Sequence, residues 1–309
     1  MCLSGYTFYR KVAETLRKKT QMNQAFESIK LIECPRDAMQ GIHNFIPTEK
    51  KIEYINALLK VGFDTIDFGS FVSAKAIPQM VDTKEVLKGL NLSDTKSKLL
   101  AIVANVRGAE EAAEYDEITY LGFPFSISET FQIRNTNSTI AHSIKTIDVI
   151  NDICAKKNKE LVIYISMGFG NPYGDEWNAD IANYWIKEMV RRDIKIISLA
   201  DTVGVGTPDT ISYLFKHVVA EFPQVEFGAH LHTTPDTWRE KVDAAYTNGC
   251  HRFDGALKGY GGCPMALDTL VGNMPTENLV SYFKEKSIAT GIDELVLNEA
   301  LFKALSVFN

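Results

Sequence analysis

The chain has 309 residues, of which 45% are hydrophobic, and its 33 basic and 39 acidic side chains give a net charge of −6. This composition excludes a disordered chain, and the negative net charge disfavours a nucleic-acid-binding protein. No stretch reaches the ~18 apolar residues of a transmembrane helix, so no membrane partner is predicted. Five scattered cysteines indicate a reducing compartment rather than a disulfide framework.

Residues 1–27 are basic and contain no apolar segment typical of a secretory signal. We interpret them as a solvated N-terminal extension of a cytoplasmic protein. An organellar transit peptide is the alternative, and it would place the protein in the mitochondrial matrix.

From residue 28 onward, short apolar runs alternate with amphipathic stretches. Their nearly continuous apolar character is typical of parallel strands that are covered on both faces. The eight runs are Ile29–Cys34, Phe63–Phe68, Lys98–Ala104, Glu117–Phe123, Glu160–Ser166, Ile194–Asp201, Val225–His232 and Arg252–Leu257. Eight such units predict an α/β protein with a (β/α)8 TIM barrel. A doubly wound sheet is the alternative, but no G-x-G-x-x-G motif follows the first run.

Helical patterns begin near Thr48, near Ser138-Thr139 and at Thr207-Pro208, each followed by apolar residues at helical spacing. No composition shift marks a boundary, so residues 28–309 are predicted to form one domain. About residues 265–309 are expected to add helices beyond the barrel.

Chemically reactive side chains gather where the predicted strands end, which is where barrel enzymes place their active sites. His230 and His232 are two residues apart on one strand and therefore share a face. Together with Asp37 after the first strand, they predict a site for a divalent cation such as Mn²⁺, Mg²⁺, Fe²⁺, Co²⁺ or Zn²⁺. Two histidines that only bind neighbouring groups at a strand end are the alternative.

Two further features near this site carry chemistry. Arg36 would stand beside any anion or enolate held there, and its permanent charge suits that position. Cys263 lies in the glycine-rich segment GYGGCP, whose thiol could donate a proton, accept one or act as a nucleophile. A tight turn followed by a small buried residue explains the same segment equally well.

Six segments in register resemble the hydroxymethylglutaryl-CoA lyase family, a group of metal-dependent barrel lyases and condensing enzymes. They are ECPRDAMQ at 33–40, SFVSAKAIPQM at 70–80, LADTVGVGTP at 199–208, HLH at 230–232, GYGGCP at 259–264 and GNMPTENLV at 272–280. The resemblance implies retro-Claisen cleavage of a 3-hydroxy-3-methylglutaryl thioester to acetyl-CoA and acetoacetate, a step of leucine degradation. It also implies an acyl-CoA partner and a homodimer.

By matched position, the resemblance implies that Asp37, His230, His232 and Asn273 bind a divalent metal, with Mg²⁺ or Mn²⁺ favoured over Zn²⁺, Co²⁺ and Fe²⁺. Arg36 is implied to neutralise the enolate oxygen, and Cys263 to be the loop thiol that serves proton transfer. The remaining implied catalytic residues are Asp201, which assists near the histidines, Gln40, and Asp67 on the second strand.

The chain departs from the family pattern at several of these segments. Ala38 replaces a glycine, Asp67 a glutamate and Thr233 an aspartate, and Gly41-Ile42 stand where the family has Asn-Glu. We expect these changes to alter the accepted 3-hydroxyacyl group or to reduce activity. Two other functions therefore stay open: a condensing enzyme that makes a 2-substituted malate from a keto acid and acetyl-CoA, and a catalytically weak binding or regulatory paralogue.

Overall fold

The computed structural model describes residues 28–262 and 271–308, so the predicted extension at 1–27 lies outside the described residues. Eight parallel strands form the centre of the fold. They are β1 Lys30–Glu33, β2 Thr65–Ser70, β3 Lys98–Ile102, β4 Ile118–Ser126, β5 Glu160–Ser166, β6 Ile196–Asp201, β7 Glu226–Thr233 and β8 Arg252–Gly255. Each lies in or overlaps one of the eight predicted apolar runs.

Each strand pairs in parallel with its neighbours in the chain, and β1 also pairs with β8, which closes the sheet. The predicted (β/α)8 TIM barrel is therefore confirmed, and the doubly wound alternative is wrong. A ninth, two-residue strand, β9 Gly272–Asn273, adds to β7 in antiparallel orientation. The sequence analysis did not predict it.

Helices cover the outside of the barrel and extend beyond its last strand. Those in the described residues are α1 Pro35–Gln40, α2 Thr48–Leu58, α3 Thr83–Lys88, α4 Val106–Ala113, α5 Glu129–Thr136, α6 Ile140–Lys156, α7 Ala179–Arg191, α8 Pro208–Glu221, α9 Trp238–Tyr246, α10 Thr276–Glu285 and α11 Glu294–Phe308, with short 3-10 turns at Pro78–Met80 and Leu257–Gly259. Thr139 and Thr207 cap α6 and α8, as their sequence patterns predict. Within residues 28–262 and 271–308, no helix is both long and apolar enough to cross a membrane.

The inside of the barrel is filled below its carboxyl end. An inward apolar layer includes Leu100, Tyr120, Val162 and Ile196. Below it, at the amino ends of the strands, lies an ion-pair network that we call the barrel floor. It consists of Lys30, Asp64, Lys98, Glu226 and Arg252. Arg252 is buried there, 3.2 Å from Glu226. Packing and charge pairing thus fill this end of the barrel.

Candidate active site

A cavity of about 640 Å³ opens at the carboxyl end of the barrel. Its polar lining includes Arg36, Asp37, Gln40, His230 and His232, whereas much of its wall is apolar. The apolar lining includes Ile42, Phe45, Val72, Ile77, Ile102 and Phe131. A mostly apolar pocket with a few converging polar groups is the usual form of a small-molecule site.

Three potential metal ligands converge in this cavity. One ligand atom each from Asp37, His230 and His232 lies within 4.8 Å of the others. Asp37 is held on the short helix α1, where its Oδ1 accepts hydrogen bonds from Arg36 Nη1 at 2.9 Å and Gln40 Nε2 at 2.7 Å. Two imidazoles and a carboxylate at this spacing are a donor set that fits a divalent cation.

Asn273 reaches the same group from the additional strand β9. Antiparallel pairing places Asn273 opposite His232. Its Nδ2 donates to Asp37 Oδ2 at 2.7 Å and to the Tyr260 carbonyl at 2.9 Å. The structure therefore brings together all four residues that the resemblance implies as metal ligands.

Arg36 forms a buried ion pair with Asp67 of β2. Its Nε and Nη2 donate to Asp67 Oδ2 at 3.1 and 2.5 Å, and Nη1 donates to Gln40 Oε1 at 3.0 Å. Burial raises the pKa of Asp67 to about 6, although the Arg36 charge acts in the opposite direction. Arg36 lines the cavity and Asp67 does not, so the carboxylate orients the guanidinium from behind.

The surroundings shift the pKa values of the two histidines in opposite directions. Burial, together with the charge of His230, lowers the pKa of His232 to about 4. Burial disfavours the charged form of His230 as well, but the hydrogen bond to Asp254 and the negative charges of Asp254 and Asp37 together outweigh burial and raise its pKa. Burial also opposes ionisation of Asp37, but the charges of Arg36 and the histidines prevail and lower its pKa. A neutral His232 and an ionised Asp37 are the forms that bind metals.

Asp201 lies on the opposite face of β6 from the cavity. Its neighbours Ala200 and Thr202 line the cavity, whereas its buried carboxylate pairs with Lys241 of α9 at 2.6 Å and accepts from the Gly206 amide at 2.9 Å. Lys241 also donates to the His232 carbonyl at 3.0 Å. Asp201 is thus placed to support the strand that carries His232 rather than to contact a ligand in the cavity.

Cys263 lies outside the described residues, but the loop that leads to it is defined as far as residue 262. Gly261 has φ +93°, and a Cβ there would lie 2.8 Å from the Asp37 carbonyl, the Ala38 Cα and Asn273 Nδ2. Only glycine fits this close approach without displacing site residues. The described part of the segment therefore passes, at Gly261, directly against the proposed metal ligands Asp37 and Asn273.

The sequence analysis did not identify Glu33 as a site-supporting residue. Its buried carboxylate accepts from the Leu257 amide at 2.9 Å and from Thr276 Oγ1 at 2.5 Å, which connects β1 to the segments before and after the GYGGCP loop. Burial raises its pKa from 4.5 to about 8. The available signal was an acidic residue directly after the apolar pair Leu31-Ile32, near the carboxyl end of the run.

We expect Glu33→Gln to remove a pH dependence of stability. Because the pKa of this acid is higher in the folded than in the unfolded state, its contribution is fullest below about 4.5 and is lost as the pH rises towards about 8. Relative to Glu33→Gln, the wild type should lose about 1.4 kcal/mol per pH unit across this interval. Urea unfolding of both proteins from pH ~5 to ~8 measures this, and parallel curves would contradict the expectation.

Asp254 and Tyr164 also adjoin the site and were missed. Asp254 Oδ2 lies 3.1 Å from His230 Nδ1, and Tyr164 lines the cavity edge-on to His230 with ring centroids 5.7 Å apart. Both residues lie within predicted strands. Each carries the same sequence signal as His230, a polar group near the carboxyl end of a strand.

A parallel eight-stranded barrel with a largely apolar cavity and a few converging polar groups at the carboxyl ends of its strands is typical of (β/α)8 barrel enzymes. Comparison with known proteins identifies the group within this class. A family model described as HMGL-like matches residues 29–301, and the chain belongs to this family. Relatives across this family are named as lyases, so the family is one of enzymes.

Similar proteins cover most of the chain. Cytoplasmic 3-hydroxy-3-methylglutaryl-CoA lyase of Rattus norvegicus is 31% identical over 280 residues, covering 90% of this chain and 80% of the relative. Hydroxymethylglutaryl-CoA lyase YngG of Bacillus subtilis is 31% identical over 84% of this chain and 85% of the relative. The structure of an HMG-CoA lyase from Acinetobacter baumannii in complex with coenzyme A and 3-methylmalate has a TM-score of 0.85 and 31% identity, with 92% of both chains covered.

Proposed function

We propose that this protein is a divalent-metal-dependent carbon–carbon lyase that cleaves 3-hydroxy-3-methylglutaryl-CoA, or a close 3-hydroxyacyl-CoA, to acetyl-CoA and acetoacetate. One observation carries the proposal: Arg36 and the donor set Asp37, His230 and His232 line the same cavity. In retro-Claisen cleavage a base takes the proton of the C3 hydroxyl, the C2–C3 bond breaks to leave a ketone and a thioester enolate, and the enolate carbon then takes up a proton. The reaction therefore also needs a group that polarises the substrate oxygens and a positive charge that stabilises the departing enolate.

Asp37, His230, His232 and Asn273 would hold the metal. Their mixed nitrogen and oxygen donors suit Mn²⁺, Mg²⁺, Fe²⁺, Co²⁺ or Zn²⁺, and the family resemblance favours Mg²⁺ or Mn²⁺. When bound, the cation supplies Lewis-acid polarisation of substrate oxygens. Gln40 donates to Asp37 Oδ1 and accepts from Arg36, so it keeps the carboxylate and the guanidinium in fixed relation.

Arg36 would neutralise the negative charge that develops on the thioester oxygen as the C2–C3 bond breaks. Asp67 holds the guanidinium by its two donating nitrogens. Since the ion pair is buried and preorganised, little reorganisation is needed when the enolate forms. In this proposal Asp67 and Asp201 are positioning residues, and Arg36 touches the reacting atoms.

Proton delivery to the enolate carbon is assigned to Cys263. We expect Cys263→Ser to lower kcat by on the order of 10²-fold or more while Mn²⁺ affinity is retained, because proton transfer is lost and the metal ligands are intact. Steady-state kinetics and calorimetric Mn²⁺ titration measure the two quantities. Cys154→Ala, which removes a buried thiol from α6, is the matched control. Equal kcat in Cys263→Ser and wild type would remove the thiol from the mechanism.

The acyl-CoA partner is proposed from the cavity and from the relatives. Arg134 lies at the cavity with its guanidinium 4.6 Å from the ring centroid of Tyr173, and it is placed to contact an anionic part of the thioester. Relatives named cytoplasmic and mitochondrial both occur. We propose a cytoplasmic homodimer in which residues 28–309 form one domain.

The decisive experiment is a lyase assay on a panel of 3-hydroxy-3-methylglutaryl-like thioesters with added Mn²⁺ or Mg²⁺. We expect metal-dependent formation of acetyl-CoA and a keto acid, abolished by a chelator and restored by the metal. Release of free thiol from acetyl-CoA and keto acids would instead identify a condensing enzyme. Absence of both activities, with no divalent metal bound, would favour the binding paralogue.

A further inference from the structure

Strand register places an unassigned carboxylate next to one of the proposed metal ligands. His230 of β7 pairs directly with Asp254 of β8. The carboxylate oxygen Oδ2 lies 3.1 Å from Nδ1 of the imidazole, and the Asp254 side chain is only 1% exposed. A charged side chain buried at this place in the barrel requires partners.

The carboxylate has a hydrogen-bond partner on one side and a nearby positive charge on the other. His230 is the hydrogen-bond partner on the cavity side. Arg252, two residues earlier on the same face of β8, is the buried cation on the floor side, where, among the described residues, no hydrogen bond joins it to Asp254 and Oδ1 has no partner. Burial disfavours the charged form of Arg252. The nearby negative charges, with Asp254 and Glu226 the strongest, outweigh burial and raise the pKa of Arg252 above its ordinary value. Asp254 therefore lies between a permanent cation and an imidazole that can donate to it.

We propose that Asp254 is a positioning residue that fixes the tautomer and the ring orientation of His230. With the Nδ1 proton directed at Asp254, the Nε2 lone pair is left free for the cavity, where Asp37 and His232 also converge. Such a carboxylate–histidine pair is what a metal-binding imidazole commonly needs behind it. The consequence for metal affinity rests on the proposed function, but the tautomer itself does not.

A competing arrangement uses the same atoms. The Cys34 thiol joins His230 and Asp254 in a second set whose ligand atoms lie within 4.8 Å of one another. If this set held a thiophilic ion through Nδ1, that nitrogen would carry no proton and Asp254 would be a ligand rather than an orienting group. The two arrangements predict different spectra.

The test compares wild type with Asp254→Asn, and Asp64→Asn serves as the matched control. Asp64 also lies beside Arg252, at 3.9 Å, so the control removes a carboxylate near the same guanidinium without contacting His230. Thermal unfolding of both variants establishes that they fold. Ring ¹⁵N spectra of the metal-free proteins report the His230 tautomer when they are recorded above the raised pKa of His230, where the ring is neutral, and are assigned with a His230→Gln variant. Calorimetry reports Mn²⁺ affinity.

We expect His230 to be protonated on Nδ1 in wild type and Asp64→Asn, and to lose this single tautomer in Asp254→Asn. Mn²⁺ affinity should fall about 10- to 100-fold in Asp254→Asn only. An Nε2-protonated wild type, or an unchanged tautomer in Asp254→Asn, would overturn the proposal. A thiolate charge-transfer band with Co²⁺ that disappears in Cys34→Ser would overturn it too. If wild type binds no Mn²⁺, the proposed metal centre fails, while the metal-free spectra still decide the role of Asp254.

Discussion

Arg36→Met is expected to lower kcat for thioester cleavage by on the order of 10³-fold or more, the largest effect on activity that the structure predicts. The guanidinium is the cation of α1 that faces the cavity, and it is held by Asp67, Asp37 and Gln40. Removing one preorganised donor at a developing oxyanion costs roughly 10²- to 10³-fold, and here a full positive charge is lost as well.

Arg36→Lys provides the graded comparison for this prediction. Lysine keeps the charge but cannot donate through two nitrogens to Asp67, so its kcat should lie between those of the methionine variant and wild type. Steady-state kinetics with saturating Mn²⁺ measure all three proteins, and circular dichroism confirms that they fold. A folded Arg36→Met enzyme with the kcat of wild type would exclude Arg36 from enolate stabilisation.

Lys241→Met is expected to have the largest effect on stability, lowering the free energy of unfolding by about 3–5 kcal/mol. The substitution leaves Asp201 buried without its cation and removes the hydrogen bonds to the carbonyls of Gly204 and His232. Because both side chains are buried, water cannot hydrate the Asp201 carboxylate in place of the lost lysine, as it can at an exposed ion pair.

A second substitution separates the lost charge pair from lost packing. In Lys241→Met/Asp201→Asn the uncompensated charge is gone and the acceptor for the Gly206 amide remains, so most of the stability should return. Arg239 lies on the same helix as Lys241, and Arg239→Met removes its exposed ion pair with Glu285 of α10. The free energy of unfolding of this variant should equal that of wild type. Urea denaturation measures each protein. Equal stability of Lys241→Met and wild type would contradict the prediction.

The barrel itself could be predicted from the sequence because each buried parallel strand leaves a local apolar run. Glu160–Ser166 is assigned with the same bounds as β5, and Thr207 was identified as the start of α8, which it caps. The ends of strands are harder to predict from the sequence: β4 extends to Ser126, beyond the predicted Phe123. Pairing and burial, rather than residue preference, decide where such a strand stops.

The site was predictable only where its geometry follows from one strand or from the barrel topology. His230 and His232 needed only the two-residue repeat of a strand. The same repeat, applied to β6, would have directed Asp201 away from the cavity, because Ala200 and Thr202 face it. Asn273 depends on a two-residue strand, and Asp254 on the register between β7 and β8. Neither pairing leaves a periodic signal in the sequence.

The filled barrel floor has a kinetic consequence. Because Arg252 and the apolar layer above it occupy the interior, ligands enter and leave this cavity through its carboxyl-end mouth. A long thioester bound there would extend towards the mouth, and the smaller product fragment would lie deeper in the cavity. Under the proposed function, the thioester product would therefore leave first and the keto acid second, and both would stay positioned for the reverse reaction until the thioester leaves.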